Sequence, residues 1–195
     1  MSTPSVRPAR FQDATHLAAL VDIAGEGLAT YFWGQMAGIG QSPFEIGRIR
    51  AQRDEGAFTW RNAHVAEVDG EVAGALIGYR IADDAADEDL SEMSEIVRPL
   101  AELEALAPGH WYVNVLAVFP EFRGRGIGTV LLARADEIGR RDAPAGMAII
   151  VAGDNEGAVR LYQKVGYRIV ARRPVFPFPG NRRGGDWLLL TKAHP

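Results

Sequence analysis

Apolar residues recur along this chain at two periods, every second position or every third to fourth, and these mark its elements. Ser5 to Ala9 predicts a short first strand. Asp13 then stands as a helix N-cap ahead of Leu17, Leu20, Val21 and Leu28, which recur at helical spacing. Tyr31-Phe32-Trp33 follows, closed by Gly34, Gly38 and Gly40. Pro43 opens another helix, continued by Phe44, Ile46 and Ile49. His64 to Val68 predicts a strand, Asp69-Gly70 a hairpin turn, and Glu71 to Ile81 the return strand. Trp111 to Phe119 is a largely apolar strand, followed by a glycine-rich turn and a helix over Ile127 to Arg140. Met147 to Ala152 reads as a short buried strand and Asn155 to Val165 as a helix. Gly166 to Val175 and Asp186 to Thr191 read as two final strands, joined by a loop rich in Pro, Gly and Arg. This order predicts a mixed α/β sheet without internal repeats.

Charge changes the picture at one place. Asp83 to Glu104 holds nine acidic residues and one base, Arg98, for a formal charge of −8, while the whole chain carries −4. Leu90, Met93, Val97, Leu100 and Leu103 are spaced at three and four, which predicts an amphipathic helix with one face on the body of the protein. Pro99 is expected to kink or split it.

Composition sets the outer limits. At 195 residues, 47% of them hydrophobic, the expectation is one domain over 1–195 with an insertion at about 82–109. The acidic balance argues against a general nucleic-acid binder. The absence of cysteine excludes disulfides, thiolate catalysis and thiolate zinc sites, and His16, His64, His110 and His194 show no ligand spacing, so no metal is expected. Met1 to Arg10 is polar and does not read as a signal peptide, and no apolar run reaches the ~18 residues of a membrane span. A cytoplasmic protein without a membrane partner is the expectation.

The candidate chemistry lies after the strand Trp111–Phe119. The run Glu121-Phe-Arg-Gly-Arg-Gly-Ile-Gly-Thr129 places Gly124, Gly126 and Gly128 at a strand-to-helix turn, with Arg123 and Arg125 beside them. Glycines let the backbone turn tightly and approach a ligand, and the first N–H groups of a helix favour negative charge. Those features point to a phosphate or pyrophosphate. A Walker loop requires Gly-Lys-Ser/Thr, and Gly128-Thr129 lacks the lysine. In a dinucleotide fingerprint begun at Gly124, the third glycine would fall on Thr129, and a start at Gly126 fails as well. A second signal is Asn155, Ala158 and Tyr162, which share one helix face, with Tyr162 about 10 Å along from Asn155.

Arg123, Gly126 and Gly128 match the Arg/Gln-x-x-Gly-x-Gly/Ala turn of the GNAT N-acetyltransferases, and the segment Asn155 to Tyr167 resembles the corresponding family segment. Val6-Arg7-Pro8-Ala9 and Asp13 resemble its usual start. The resemblance covers nearly the whole chain, is most specific over 112–167, and departs at 82–109. It implies a mostly antiparallel sheet of about seven strands with a splayed pair in the middle. About four helices and an inserted helical segment would flank it.

The resemblance further implies an acyl-CoA-dependent N-acyltransferase with acetyl-CoA as cosubstrate and no metal. The pantetheine arm would lie along Leu116, Ala117 and Val118. The pyrophosphate would meet N–H groups of Arg123, Gly124, Arg125, Gly126, Ile127, Gly128 and Thr129. Asn155 would bond the arm, and Tyr162 would reach the thioester sulfur as the catalytic acid. The acceptor would be an amine of a small molecule or of a peptide or protein, and the oligomeric state, a homodimer included, stays open. Some relatives place a glutamate base where this chain has Asn114; Glu67 and the acids of 83–104 are the substitutes. Arg125, Arg160 and Lys164 are candidates for a 3′-phosphate contact. Tyr31-Phe32-Trp33, Phe176-Pro177-Phe178 and the acidic segment occupy the places where the family builds acceptor sites, with 83–107 as a lid. Two alternatives stand beside this: a non-catalytic acyl-CoA-binding or sensor domain, which would not need Tyr162, and a Rossmann-type enzyme, which the glycine spacing disfavours.

Overall fold

The computed structural model describes residues 3–181 and 185–194. Its elements are β1 (Ser5–Pro8), α1 (Ala14–Ala24), α2 (Leu28–Met36), α3 (Pro43–Ala51), β2 (Ala63–Val68), β3 (Glu71–Arg80), α4 (Arg98–Glu104), β4 (Trp111–Val118), α5 (Ile127–Asp142), β5 (Met147–Ala152), α6 (Glu156–Lys164), β6 (Arg168–Pro174) and β7 (Asp186–Lys192). The seven strands have the order β1-β2-β3-β4-β5-β7-β6. β1–β2, β2–β3, β5–β7 and β6–β7 pair antiparallel, and β4–β5 pair parallel over Trp111–Val113 and Met147–Ile149. The sheet is mixed, as its alternation of elements predicts.

The described residues form two compact units: 3–78, 115–134 and 179–181 in the first, and 79–114, 135–178 and 185–194 in the second. In the first, α1 and α3 pack together. Leu17 and Leu20 of α1 join Val65 of β2, Ala75 and Ile77 of β3, and Val115 and Ala117 of β4 in one core. The β2–β3 hairpin closes as its sequence predicts, with Asp69 (φ 53°) and Gly70 (φ 84°) both in the left-handed conformation of a tight turn. β3 lies so close to β4 that a Cβ on Gly74 would stand 2.7 Å from the Ala117 carbonyl oxygen, so this position admits only glycine without a shift. Phe119 N–H donates to the Ala73 carbonyl at 2.9 Å beside it.

The apolar pattern from Asp13 to Leu28 makes two helices rather than one. α1 ends at Ala24, Glu26 and Gly27 turn through positive φ (54° and 91°), and Leu28 opens α2. Helical spacing survives a short break because the next helix resumes with its own apolar residues. On α2, Trp33 is buried and stacked on Phe58 at 5.8 Å, which makes it a core residue.

The second unit centres on Ile81, Leu103, Ala107, Tyr112, Ala148 and Leu189, with Tyr79, Ile150, Ala171 and Trp187 packed on them. Here the acidic segment departs from the helix its spacing predicts. Only Arg98–Glu104 is α-helical, preceded by a single 3-10 turn at Ala85–Asp87. Like charges at helical spacing repel, and nine acids with one base supply few favourable pairs. Pro99 falls in the first turn of α4, where a missing N–H costs nothing, so it starts the helix instead of kinking it. Arg98 holds the preceding loop by donating from Nη2 to the carbonyls of Ser91 (3.3 Å) and Met93 (2.8 Å). Leu90, Met93, Val97 and Leu100 are still half-buried. Among the described residues there are six α-helices, α4 being the one in the inserted segment, and none is long and apolar enough to cross a membrane.

Candidate functional site

The residues singled out by the sequence fall into two groups. The turn after β4 belongs to the first unit, and Asn155 and Tyr162 belong to the second. Strand alternation sends Val115 and Ala117 into the first core and leaves Asn114, Leu116 and Val118 half-buried on the other face. A 3-10 turn at Pro120–Phe122 follows. Gly124 (φ 76°) and Gly126 (φ 78°) both take the left-handed conformation, and a Cβ on either would meet open space. Glycine is therefore required here by backbone angle rather than by crowding.

The first hydrogen bond of α5 runs from Val130 N–H to the Gly126 carbonyl at 3.2 Å. The N–H groups of Ile127, Gly128 and Thr129 lie ahead of it, at the positive end of a helix of 16 residues. Arg123 Nε donates to the Val118 carbonyl at 3.2 Å, so that carbonyl, one of the expected cofactor contacts, is already engaged. Arg125 donates to the Glu121 carbonyl at 3.1 Å and lies over the Phe122 ring at 5.2 Å. The two guanidiniums thus stay beside the turn and keep it positive. The arrangement suits an anion with several oxygens.

In the second unit, Asn155 is the N-cap of α6, its Oδ1 accepting from Ala158 N–H at 3.3 Å. The residue expected to bond a ligand therefore also starts the helix that carries Tyr162. Tyr162 is 5% exposed, its ring centre 6.1 Å from that of Tyr167, and burial pushes its phenol above the usual range. It is a neutral hydrogen-bond donor throughout the physiological range. Of the candidates for a 3′-phosphate, Arg160 pairs with Glu156 at 2.8 Å on the exposed face of α6, and Lys164 sits in its last turn.

The candidate bases separate clearly. Glu67 accepts from Arg7 Nε at 2.9 Å and Nη2 at 2.7 Å, while Arg7 Nη1 donates to Asp13 at 2.7 Å. Burial pushes the Asp13 carboxyl up, but Arg7 and the Arg10 N–H outweigh it and hold it below the usual range. In the acidic segment, Asp83 pairs with Arg80 and Glu102 with Arg173 at 2.6 Å. Glu104 instead accepts from the Tyr79 hydroxyl at 2.9 Å, and the Tyr79 ring meets Tyr112 edge-on at 5.5 Å. Burial pushes the Glu104 carboxyl up against the opposing effect of the Tyr79 bond, and Glu88 adds to the rise. Neither Tyr79 nor Tyr112 stands out in the sequence, because a strand tyrosine reads first as packing.

The expected acceptor aromatics do not act alike. Tyr31 and Phe32 touch edge-on at 5.2 Å, Trp33 is core, Phe176 is exposed and Phe178 buried. Arg182, Arg183 and Gly184 of the last loop lie outside the described residues.

A profile of the acetyltransferase (GNAT) family matches residues 28–167. The uncharacterized N-acetyltransferase MJ1207 of Methanocaldococcus jannaschii is 34% identical over 55 residues, 28% of this chain and 24% of that protein. The uncharacterized protein ML0378 of Mycobacterium leprae is 33% identical over 85 residues, 44% of this chain and 22% of that protein. The matched stretches span about a quarter of these two curated relatives. Among solved structures, an N-acetyltransferase from Staphylococcus aureus Mu50 aligns with a TM-score of 0.65 at 21% identity, over 96% of this chain and 99% of its own. The structure of yncA from Salmonella typhimurium, determined with its cofactor acetyl-CoA, aligns with a TM-score of 0.58 at 16% identity, over 100% of this chain and 95% of its own. At such identities the likeness shows the fold.

Proposed function

The chain belongs to the GNAT acetyltransferase family, and from that premise we propose that it transfers an acetyl group from acetyl-CoA directly to an amine of a small molecule or a peptide. The observation that carries this reading is the turn Arg123–Thr129, where left-handed Gly124 and Gly126 lead into the N–H groups that open α5. A pyrophosphate, with many oxygens and two charges, is the ligand such a turn suits. The yncA structure, determined with acetyl-CoA, supports assigning that donor here.

Tyr162 extends the reading from binding to transfer. Direct attack by an amine needs no nucleophilic side chain, in keeping with a chain that has no cysteine. The departing thiolate needs a proton or a hydrogen bond, since a thiol has a pKa of about 8.5. A buried phenol of raised pKa is a poor acid but a constant donor, so Tyr162 stabilises the sulfur chiefly by hydrogen bonding. The test is calorimetric titration with acetyl-CoA, combined with release of free CoA in the presence of amines. Tyr162→Phe is expected to keep donor affinity while lowering kcat by about 100-fold. Unchanged turnover would refute the role of Tyr162 at the sulfur, and donor binding without any CoA release would point to a non-catalytic acyl-CoA-binding domain.

A further inference from the structure

Of the nine carboxylates between 83 and 104, seven are exposed, and only Glu102 and Glu104, both on α4, are half-buried. Glu102 meets a cation, Arg173 of β6, at 2.6 Å. Glu104 meets none among the described residues. Its one bond there is to the Tyr79 hydroxyl at 2.9 Å, and Tyr79 leans on buried Tyr112. Burial, then the Glu104 carboxylate and the Tyr162 phenol, push the Tyr112 phenol up, so Glu104 and the candidate acid both lie near one buried ring of the second unit.

Natural proteins pair a carboxylate drawn out of water with a cation, because an unpaired one is costly. The other half-buried carboxylate of α4, two residues before Glu104, obeys that rule. Glu104 has a phenol where Glu102 has a guanidinium. We propose that Glu104 receives the acceptor as a primary alkylammonium ion and takes its proton, with Tyr79 as the positioning residue. This rests on the acyl-transfer reading above. The ammonium gives one proton to Glu104, which passes it to solvent. The neutral nitrogen bonds to the acetyl carbonyl carbon, the carbon–sulfur bond breaks, and the second nitrogen proton ends on sulfur. Amide and free thiol result, with one proton released.

The surroundings leave this role to Glu104. Tyr79 of β3 and Glu88 of the preceding loop act on it directly, and it acts in turn on buried Tyr112 of β4. α4 packs on β5, β6 and β7. β5 has no titratable side chain. On β6, Arg173 is held by Glu102, Arg172 faces Asp186 of β7 at 3.8 Å, and Arg168 is exposed. On β7, Lys192 is held by Asp136 at 2.6 Å.

The experiment measures CoA release against pH with 1,4-diaminobutane, n-butylamine and an unblocked lysine-containing hexapeptide as probes, beside the calorimetric Kd of acetyl-CoA. Glu104→Gln should lower kcat/KM for the amine by about 100-fold and erase the acid limb of the pH profile, leaving the Kd of acetyl-CoA unchanged. Tyr79→Phe should keep the limb but move it to higher pH, because the lost bond had favoured the ionised carboxylate. Glu102→Gln should lower stability and leave the limb in place. Should Glu104→Gln fold poorly, Glu104→Asp keeps the charge one methylene back and should retain the limb at a reduced rate. Activity of Glu104→Gln within about threefold of wild type, with the limb intact, overturns the proposal. So does a wild-type protein that binds acetyl-CoA yet acetylates none of the probes. Failure to bind acetyl-CoA at all removes the acyl-transfer reading itself, and this assignment with it.

Discussion

Asp13 and Glu67 in the first unit and Glu104 in the second are all carboxylates drawn toward the interior, and their surroundings treat them in opposite ways. Arg7 stands between the first two and bonds both, with side-chain exposures of 21% for Arg7, 9% for Asp13 and 25% for Glu67. The Asp13 bond above all holds the guanidinium protonated, against burial. Glu104 has a phenol where Arg7 would be, and its carboxyl is pushed up where that of Asp13 is held down. A closed charge cluster binds its own chain together; an open one keeps a valence for something else.

The largest effect should come from opening the closed cluster. Arg7→Ala leaves two carboxylates facing each other and should cost about 2 kcal/mol, less than a fully buried pair because all three side chains keep some water. Asp13 is depressed in the folded state, so its contribution is present above the ordinary carboxylate pKa and lost as pH falls through the folded value. Denaturant midpoints of wild type and variant should therefore converge in acid. A gap independent of pH would break the comparison.

His64 is a third case, a titratable group kept neutral. Burial, then Arg134, lowers it from 6.5 to about 4. Above pH 6.5 both folded and unfolded forms are neutral, and stability is lost as pH falls from 6.5 toward 4, where only the unfolded chain takes the proton. With the ring partly solvated, the loss should be about 1 kcal/mol, discounted for screening. His64→Gln should abolish that part of the acid sensitivity in thermal melts recorded across this range. The smallest effect has the opposite sign. Because the Glu104 carboxyl is raised, its ionisation opposes folding as pH rises through and above the ordinary carboxylate range. Glu104→Gln should accordingly stabilise the protein at neutral pH by about 0.5 kcal/mol while removing most of its turnover. A loss of stability would place Glu104 with Arg7 as architecture.

These contrasts also explain what could be read from the residues alone. The strands, the Asp69-Gly70 turn and the helices after Gly126 and Asn155 are written locally, each by a period or by a residue type that one backbone angle demands. The turn at Arg123–Thr129 was legible for that reason. The Arg7–Glu67 pairing joins residues 60 positions apart, and no local pattern carries it. The acidic segment misled in a different way. Its apolar spacing suits a helix, yet half-buried Leu90, Met93 and Val97 reach the interior from an irregular path that Arg98 supports. Nor can a run of nine acids say which two are half-buried, because that depends on the placement of a helix only seven residues long.

That support has a consequence for how the protein can change. Arg98 grips the carbonyl oxygens of Ser91 and Met93, groups that every residue type supplies equally. The path of the loop is thus indifferent to most of the side chains it displays, and Glu88, Glu92 and Glu95 are exposed. The segment behaves as an exchangeable cassette: its charge can be rewritten one residue at a time, while the scaffold beneath keeps its course.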